Sequence, residues 1–287
     1  MTRLVIILIG LFLSLGYYMY NEMTDIFVGT GSSKSELRQE HKIYSNNATM
    51  QQLDGTVLFE KNSDDKIKPA SLTKMMTAII AIEALPDMTQ EVPVNGNGIT
   101  DLYYEGASVA GFAPNAMVTV EELLYGLMLP SGADAAVTLS QEISGSDAAF
   151  AEEMNQKAAK LGMTDTHFTN SYGTESVEQY STVNDLALLL RYSLQNETFR
   201  EVFTTEKYVG SNYSFDSTLF KKLGNTSVKK GDIIGGKTGF TEEAGLCLAS
   251  LAEVEGVEYI VITVGAKGDH KTKQFNMLDA KSLYNQL

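Results

Sequence analysis

A serine placed three residues before a lysine opens an apolar run in the stretch Pro69-Ala70-Ser71-Leu72-Thr73-Lys74-Met75-Met76-Thr77. The run predicts a helix from Ser71 to about Leu85. Residues three apart lie on one face of a helix, so the amine of Lys74 can sit against the hydroxyl of Ser71. A partly desolvated lysine can take the proton of a serine, and the start of a helix adds free N–H groups nearby. We therefore expect the rest of the chain to be organised around this helix start.

The Ser-x-x-Lys pattern is not specific by itself. Ser63-Asp64-Asp65-Lys66 and Ser227-Val228-Lys229-Lys230 fit it equally well. Both lie in polar, turn-like surroundings, where solvated charges are the ordinary interpretation. Ser71 differs because it opens an apolar helix, and the other motifs of the chain have to decide whether it is catalytic.

Composition and charge exclude several classes of protein. The 287 residues suffice for one large domain or two small ones with a buried core. A net charge of −14 argues against nucleic-acid binding and against a polybasic contact with a membrane surface. The single cysteine, Cys247, excludes an internal disulfide framework, and the three histidines show no metal-ligand spacing. We expect no metal and no cofactor.

The N-terminus carries an apolar segment that can enter a membrane. Arg3 precedes a run from Leu4 to Tyr20 without charge, near the shortest length that spans a bilayer. An uncleaved anchor is favoured over a cleaved secretory signal because no small-x-small cleavage site follows and tyrosines lie at the end of the run. Residues 1–20 are thus predicted as an anchor or signal segment, residues 21–40 as a flexible tether and residues 41–287 as the folded domain. Either reading places that domain outside the cytoplasm, at the cell membrane or secreted.

The remaining pattern puts strands at both ends of the chain and helices between them. A hairpin is predicted at 47–52 and 56–59. Helices are predicted at 119–129, 135–143, 146–161 and 182–194, the first with a Thr119–Glu122 capping box and the last capped by Ser181 or Thr182. Strands at 232–240, 245–253 and 257–264 precede a last helix within 269–287. This order predicts an α+β fold, with a mostly antiparallel sheet built from both chain ends, flanking helices and an inserted helical region.

Residues 91–118 are predicted as an irregular excursion, because glycine, asparagine and proline recur in them. Within this segment, Gly106-Ala107-Ser108-Val109-Ala110 nearly matches the Gly-x-Ser-x-Gly elbow of other hydrolases. It lacks the second glycine and no strand precedes it, so we interpret it as loop.

Two further motifs carry reactive side chains. Gly236-Lys237-Thr238-Gly239 lies on the first late strand, where glycines leave the backbone open and the ammonium and hydroxyl groups suit a carboxylate ligand. Ser131-Gly132-Ala133 lies between two helices, where a second serine can relay a proton. Each motif has a structural alternative, which is an edge strand with a solvated lysine for the first and an N-cap for the second. Taken singly, the motifs leave these alternatives open.

The three motifs come in the order used by penicillin-binding proteins and serine β-lactamases. Their flanks, 69–77, 129–136 and 236–241 with Ala244-Gly245, closely resemble the low-molecular-mass serine D-alanyl-D-alanine carboxypeptidases. Leu161-Gly162-Met163, Thr169-Asn170 and Tyr180-Ser181-Thr182 with Asp185 look like that family too, so the resemblance covers about residues 41–270. It implies a DD-peptidase/β-lactamase-like fold and removal of the terminal D-alanine from cell-wall peptides.

The resemblance also implies a role for each motif residue. Ser71 is the nucleophile, Lys74 its base and Ser131 a proton shuttle toward the leaving D-alanine. The substrate-binding residues are Lys237, Thr238, Gly239 and Phe240. Of these, Lys237 supports Ser131, and Thr238 binds the terminal carboxylate. The backbone N–H groups of Ser71 and Phe240 form the oxyanion hole. The implied partners are peptidoglycan peptides ending in D-Ala-D-Ala, β-lactam antibiotics as covalent inhibitors and, through the N-terminal segment, the membrane.

The chain departs from the family pattern at two positions. Ala133 stands where the second motif usually has an asparagine that holds the peptide backbone, and we expect water or Asn170 to take up part of the lost contact. Gln179 stands where many members have a histidine. Two other functions share the acylation site. One is a penicillin-binding sensor, and the other is a β-lactamase-like hydrolase, which needs a placed glutamate such as Glu175 or Glu178.

Overall fold

The structure, a computed structural model, describes residues 42–96, 99, 102 and 106–287. The predicted anchor at residues 1–20 and tether at residues 21–40 lie outside the described residues. Within the part of the chain that the structure describes, no helix has both the length and the apolar character needed to cross a membrane.

A six-stranded antiparallel sheet forms the centre of the fold, in the strand order β2-β1-β10-β9-β8-β7. Its strands are β1 (Asn47–Gln52), β2 (Val57–Lys61), β7 (Ser227–Val228), β8 (Gly231–Thr241), β9 (Gly245–Val254) and β10 (Val257–Ala266). Strand β1 pairs with β10, where Asn47 lies opposite Val264. The predicted sheet built from both chain ends is therefore confirmed.

Helices surround this sheet and fill the middle of the chain. They are α1 (Lys74–Ala84), α2 (Val120–Met128), α3 (Ala133–Ser144), α4 (Asp147–Leu161), α5 (Val183–Ser193), α6 (Glu197–Thr204), α7 (Thr218–Leu223) and α8 (Phe275–Tyr284). Two small two-stranded sheets pair β3 (Glu91–Pro93) with β4 (Met117–Thr119) and β5 (Lys207–Val209) with β6 (Ser214–Asp216). The predicted α+β fold is confirmed.

Both faces of the central strands are covered. Ala249 and Leu251 of β9 belong to the same core as α1 and the other helices of the middle region. Ser250, between them, lies 3.0 Å from the hydroxyl of Tyr284 in α8. Because successive side chains of a strand point to opposite faces, this strand must be apolar almost throughout. Its turn into β10 uses two left-handed residues, Glu255 (φ 51°) and Gly256 (φ 77°), as a tight hairpin requires.

Local sequence signals set several helix starts as predicted. Thr119 accepts a hydrogen bond from the Glu122 N–H and the Glu122 carboxylate accepts one from the Thr119 N–H, both at 3.1 Å, so the capping box is present. Thr182, the second of the two predicted caps, accepts from the N–H of Asp185 at 3.0 Å and starts α5. These caps satisfy N–H groups that a helix cannot pair internally.

The first helix starts differently from the prediction. In place of one helix from Ser71, a short 3-10 turn at Ala70–Thr73 precedes α1, which begins at Lys74. Helices α6 and α7 and the β5–β6 hairpin were not predicted at all. Helix α7 matters most of these because it contacts β8, the strand that carries the Lys-Thr-Gly motif.

Candidate active site

Ser71 lies in a strained turn that two close backbone contacts hold in place. The preceding Ala70 has a left-handed φ of 46°, which is unfavourable for a residue with a Cβ. A Cβ on Gly173 (φ 88°) would lie 1.9 Å from the Ala70 carbonyl oxygen, so only glycine fits there. On the other side, a Cβ on Gly239 would lie 3.2 Å from the Ser71 nitrogen. The nucleophile turn is thus clamped between the loop at Gly173 and strand β8.

Lys74 is buried directly behind the nucleophile. Its side chain is 2% exposed, and its Nζ donates to the Ser71 Oγ at 3.0 Å and to the Tyr172 carbonyl oxygen at 2.6 Å. Burial lowers the pKa of Lys74 to about 7, and the negative charge of Asp134 opposes part of that change. A large fraction of this amine is therefore neutral near neutral pH, which is the form that can accept the serine proton.

Ser131 and Lys237 form a second buried pair. The Lys237 Nζ donates to the Ser131 Oγ and to the Thr238 carbonyl oxygen, each at 2.8 Å, and Lys237 is completely buried. Burial first, and then the positive charges of Lys74 and Lys222, lower the pKa of Lys237. Over the motif β8 pairs with β9 alone, because β7 reaches only Gly231 and Asp232, but the alternative of a solvated lysine is wrong since Lys237 is buried. The N-cap alternative for Ser131 is wrong as well, because Gly132 occupies the N-cap position of α3.

The motif residues surround one open site. Two adjoining cavities of about 390 and 270 Å³ share Ser71, Ser108, Phe240 and His270 in their walls. Lys74 lines the larger one, and the smaller one is lined by Ser131, Thr238 and Gly239, with Lys237 behind Ser131. The Thr238 hydroxyl lies 2.7 Å from the hydroxyl of Thr218, the first residue of α7. The structure thus brings together all seven residues singled out as catalytic or substrate-binding.

Ser108 is a cavity residue to which the sequence assigned no role. Its loop is fixed by the buried Asp134, whose carboxylate accepts hydrogen bonds from the N–H groups of Ala110, Gly111 and Phe112 at 2.8 to 3.1 Å. The Ser108 carbonyl oxygen also accepts from the Ala133 N–H at 2.7 Å. No local sequence pattern connects Asp134 with a loop more than twenty residues earlier, so the position of Ser108 emerges only from the fold.

The two departures from the family pattern have structural roles. Gln179 accepts from the Thr169 N–H and donates to the Thr174 carbonyl oxygen, both at 3.0 Å, and so holds the loop that touches the nucleophile turn. Asn170 accepts from the N–H groups of Gly173 and Thr174 in the same loop. The Asn170 oxygen is already used by these two contacts, and the expectation that water or Asn170 takes up part of the lost contact stays a prediction. Ala133 is fully buried in a small apolar cluster with Leu102 and Val137.

Comparison with known proteins agrees with this geometry. The family model described as D-alanyl-D-alanine carboxypeptidase, peptidase S11, matches residues 33–268. The chain belongs to this family. It is 33% identical to the D-alanyl-D-alanine carboxypeptidase DacF of Bacillus subtilis, over 82% of this chain and 60% of that protein. It is 32% identical to a D-alanyl-D-alanine carboxypeptidase of Streptomyces sp. K15, over 73% of this chain and 76% of the relative. The chain thus spans about 60% of the length of the Bacillus protein.

Solved structures show the same fold. The crystal structure of the Streptomyces K15 DD-transpeptidase superposes with a TM-score of 0.76 at 27% identity, covering 86% of this chain and 99% of that one. Penicillin-binding protein 6B from Escherichia coli superposes with a TM-score of 0.75 at 25% identity, covering 89% of this chain and 81% of that one. The DD-peptidase-like fold implied by the motifs is confirmed.

Proposed function

We propose that the protein is a serine D-alanyl-D-alanine carboxypeptidase, which removes the terminal D-alanine of cell-wall peptides through an acyl-enzyme on Ser71. The observation that carries this proposal is the contact of 3.0 Å between the buried amine of Lys74 and the Ser71 hydroxyl, on the wall of an open cavity. A buried lysine with a lowered pKa is a base near neutral pH, and a serine beside such a base is an activated nucleophile.

In this arrangement acylation of Ser71 proceeds by proton transfers that begin at Lys74 and end at the leaving amine. Neutral Lys74 takes the hydroxyl proton while the Ser71 Oγ attacks the carbonyl carbon of the penultimate D-alanine. The backbone N–H groups of Ser71 and Phe240 receive the developing oxyanion, and the close approach of Gly239 to the Ser71 nitrogen supports this assignment. The C–N bond then breaks, and Ser131, hydrogen-bonded to Lys237, passes a proton to the leaving amine.

Deacylation uses the same groups. Water attacks the ester carbonyl, with Lys74 as base, and Ser71 leaves with its proton restored. Peptide and D-alanine are the products, and no co-reactant other than water is consumed. β-Lactams acylate the same serine, since their strained amide offers an equivalent carbonyl, and thus act as covalent inhibitors.

The function is tested by acylation and by product release together. A fluorescent penicillin should label the full-length protein covalently, and the protein should release D-alanine from a peptide ending in D-Ala-D-Ala. Ser71→Ala should abolish both. Ser227→Ala is a matched control, because Ser227 also precedes a lysine by three residues but is exposed and lines neither cavity. Labelling that survives Ser71→Ala would assign the nucleophile to another residue.

Three other outcomes share the acyl-enzyme and differ in its fate. A sensor keeps the acyl group, and a β-lactamase-like hydrolase turns over the antibiotic. A transpeptidase, such as the Streptomyces K15 DD-transpeptidase, passes the acyl group to an amine. Glu175 lines the larger cavity, but one of its oxygens accepts the Glu243 N–H at 2.8 Å. Release of D-alanine without an added amine would separate the carboxypeptidase from the sensor and the transpeptidase. Slow turnover of a chromogenic cephalosporin would separate it from the β-lactamase-like hydrolase.

The N-terminal segment supports a location at the cell membrane with the catalytic domain outside the cytoplasm. The basis is the uncharged run from Leu4 to Tyr20 after Arg3. Membrane fractionation of the expressing cell, followed by protease treatment of intact cells stripped of their wall, tests this location. A membrane-bound, protease-accessible protein fits the anchor, and a protein released into the medium fits a cleaved signal.

A further inference from the structure

An exposed aromatic side chain is held rigidly beside helix α8. Tyr44 is 57% exposed, although both of its neighbours in the chain, Ile43 and Ser45, are buried. The buried carboxylate of Asp279 accepts the N–H group of Tyr44 at 2.9 Å and that of Ser45 at 2.7 Å. The Tyr44 ring packs on Phe275, the first residue of α8, with 4.3 Å between the ring centroids. These contacts fix the tyrosine in a position where it meets solvent.

The apolar surface continues from Tyr44 along α8. Leu278 is exposed and lies three residues after Phe275, so the two side chains are neighbours on the helix surface. Helix α8 covers the face of the central sheet to which Ser250 points, whereas Ala249 points to the face covered by the helices of the middle region. We call the surface formed by Tyr44, Phe275 and Leu278 the α8 face.

Lysines surround the α8 face. Lys42 lies two residues before Tyr44, and Lys271 and Lys273 are exposed in the segment that leads into α8. The ammonium of Lys273 lies 5.7 Å from the centroid of the Phe275 ring. Within the described part of the chain, none of these three lysines forms an ion pair. Their charges are therefore available to a partner.

The nearby acidic groups do not cancel these charges. Asp279 is buried, and Asp269 uses one exposed carboxylate oxygen to accept the N–H groups of Lys271 and Thr272. The segment before α8 also contains Lys267. In the two segments that form the α8 face, 42–46 and 267–279, four lysines thus outnumber two carboxylates. This surface is cationic in a chain whose net charge is −14.

This composition matches the chemistry of a lipid surface. Aromatic and aliphatic side chains enter the headgroup region of a bilayer, and lysines beside them attract anionic lipids. We propose that the α8 face docks on the surface of an anionic lipid bilayer. This inference rests on the proposed location at the cell membrane and adds an orientation of the domain to it. Lys271 follows His270, which lines both cavities, so a docked domain has its active site beside the lipid surface.

The position of the α8 face in the chain supports this partner. The predicted anchor ends at residue 20 and the predicted tether at residue 40, four residues before Tyr44. A flexible chain of this length spans about 25 Å on average. An anchored chain therefore presents the α8 face to the bilayer at an effective concentration in about the millimolar range, so that weak contacts suffice for docking.

The test uses full-length protein in vesicles, with an environment-sensitive dye on the α8 face. In Leu278→Cys the dye reacts with the new cysteine alone, because Cys247 is completely buried and burial raises the pKa of its thiol to about 12. The dye emission should shift to the blue, and spin-labelled lipid should quench it, in vesicles that contain phosphatidylglycerol but not in pure phosphatidylcholine. Salt at about 1 M should reverse both signals while the protein stays with the vesicles, because the Debye length falls to about 3 Å.

A dye at a second exposed position is the matched control for the probe. Val209 is 70% exposed on strand β5, and its neighbour Tyr208 stacks on Tyr125 of α2, which places it on the helical side of the sheet. Val209→Cys should therefore give the same emission in both kinds of vesicle. An equal shift at both positions would overturn the proposal, and so would the absence of a shift at Leu278 in phosphatidylglycerol.

Charge reversal tests the lysines. Lys271→Glu combined with Lys273→Glu should weaken docking by about 25-fold or more, from about fivefold for each lysine. Lys160→Glu combined with Lys207→Glu makes the same change in net charge on exposed residues of α4 and β5, and should leave docking within about twofold of wild type. A shift at Leu278 that survives the first double substitution would refute the docking surface.

The remaining outcomes separate this surface from the anchor and from another partner. If the protein binds only vesicles with phosphatidylglycerol, at low salt and with the dye shift, the anchor fails and the α8 face stands. If the protein stays with both kinds of vesicle and the dye at Leu278 does not shift, the anchor stands and the α8 face fails. A dye shift in detergent without vesicles that grows with protein concentration would assign the face to a second copy of the chain and overturn the proposal.

Discussion

Acylation of Ser71 should rise with pH through a midpoint near 7. Burial of Lys74 brings its pKa from 10.5 to about 7. At pH 7 the Lys74 amine is then neutral in about half of the molecules, compared with about one in 3,000 for a lysine with its ordinary pKa. The structure therefore predicts a gain of about three orders of magnitude in the population of the active base. This gain comes from desolvation, which disfavours the charged ammonium.

The assay is the second-order rate of labelling by a fluorescent penicillin between pH 5.5 and 9.5, at constant ionic strength. The rate should fall about tenfold for each pH unit below 6 and level off above 8, because only the neutral amine accepts the serine proton. Lys74→Arg should not be labelled at any pH in this range, since arginine keeps its proton. A flat profile, or a midpoint close to that of an exposed lysine, would refute the role of Lys74 as the base.

Three further outcomes follow from the same site. Gly173→Ala should slow labelling at least 100-fold and lower the free energy of unfolding in urea by about 1–3 kcal/mol, because its Cβ would collide with the Ala70 carbonyl oxygen. Labelling and stability equal to wild type would contradict the role of Gly173 in holding the nucleophile turn. Ala133→Asn should leave peptide turnover within about tenfold of wild type but lower the free energy of unfolding by about 1–3 kcal/mol, since the amide enters an apolar cluster. Faster turnover with unchanged stability would contradict the burial of this side chain in an apolar cluster. Between pH 7 and 10.5 the unfolded chain keeps a proton that folded Lys74 has lost, so the free energy of unfolding should rise with pH in this window, and Lys74→Met should flatten the rise.

The elements with strong local signals were predictable from the sequence. Helix α2 has a capping box at Thr119 and Glu122. Strands β9 and β10 are apolar, β10 is also rich in β-branched residues, and a glycine turn separates the two. For these elements the pattern lies within a few residues, so local physics is sufficient to read it. That Ser71, Ser131 and Lys237 would meet was implied only by the resemblance of the motif order to a known family.

The parts that were missed depend on contacts between distant segments. Helix α7 is only six residues long, and its sequence, Thr-Leu-Phe-Lys-Lys-Leu, is too short for a periodic signal. It brings Thr218 and Lys222 to the cavity only because it packs against strand β8. The turn at Ala70 is equally hidden, since its left-handed backbone is imposed by the loop at Gly173, about a hundred residues later.

The pairing of β1 with β10 also governs when the site can exist. Asn47 and Val264 are about 200 residues apart in the chain, and contacts of such separation close slowly because the loop entropy must be overcome first. During synthesis the segment that carries Ser71 and Lys74 emerges long before strand β8, which lies against the nucleophile turn. Strand β1 has only its hairpin partner β2 until β10 is made. A nascent chain that ends before β8 holds Ser71 and Lys74 without the strand that completes the site. We therefore expect its serine to stay unreactive until the C-terminal strands have joined the sheet.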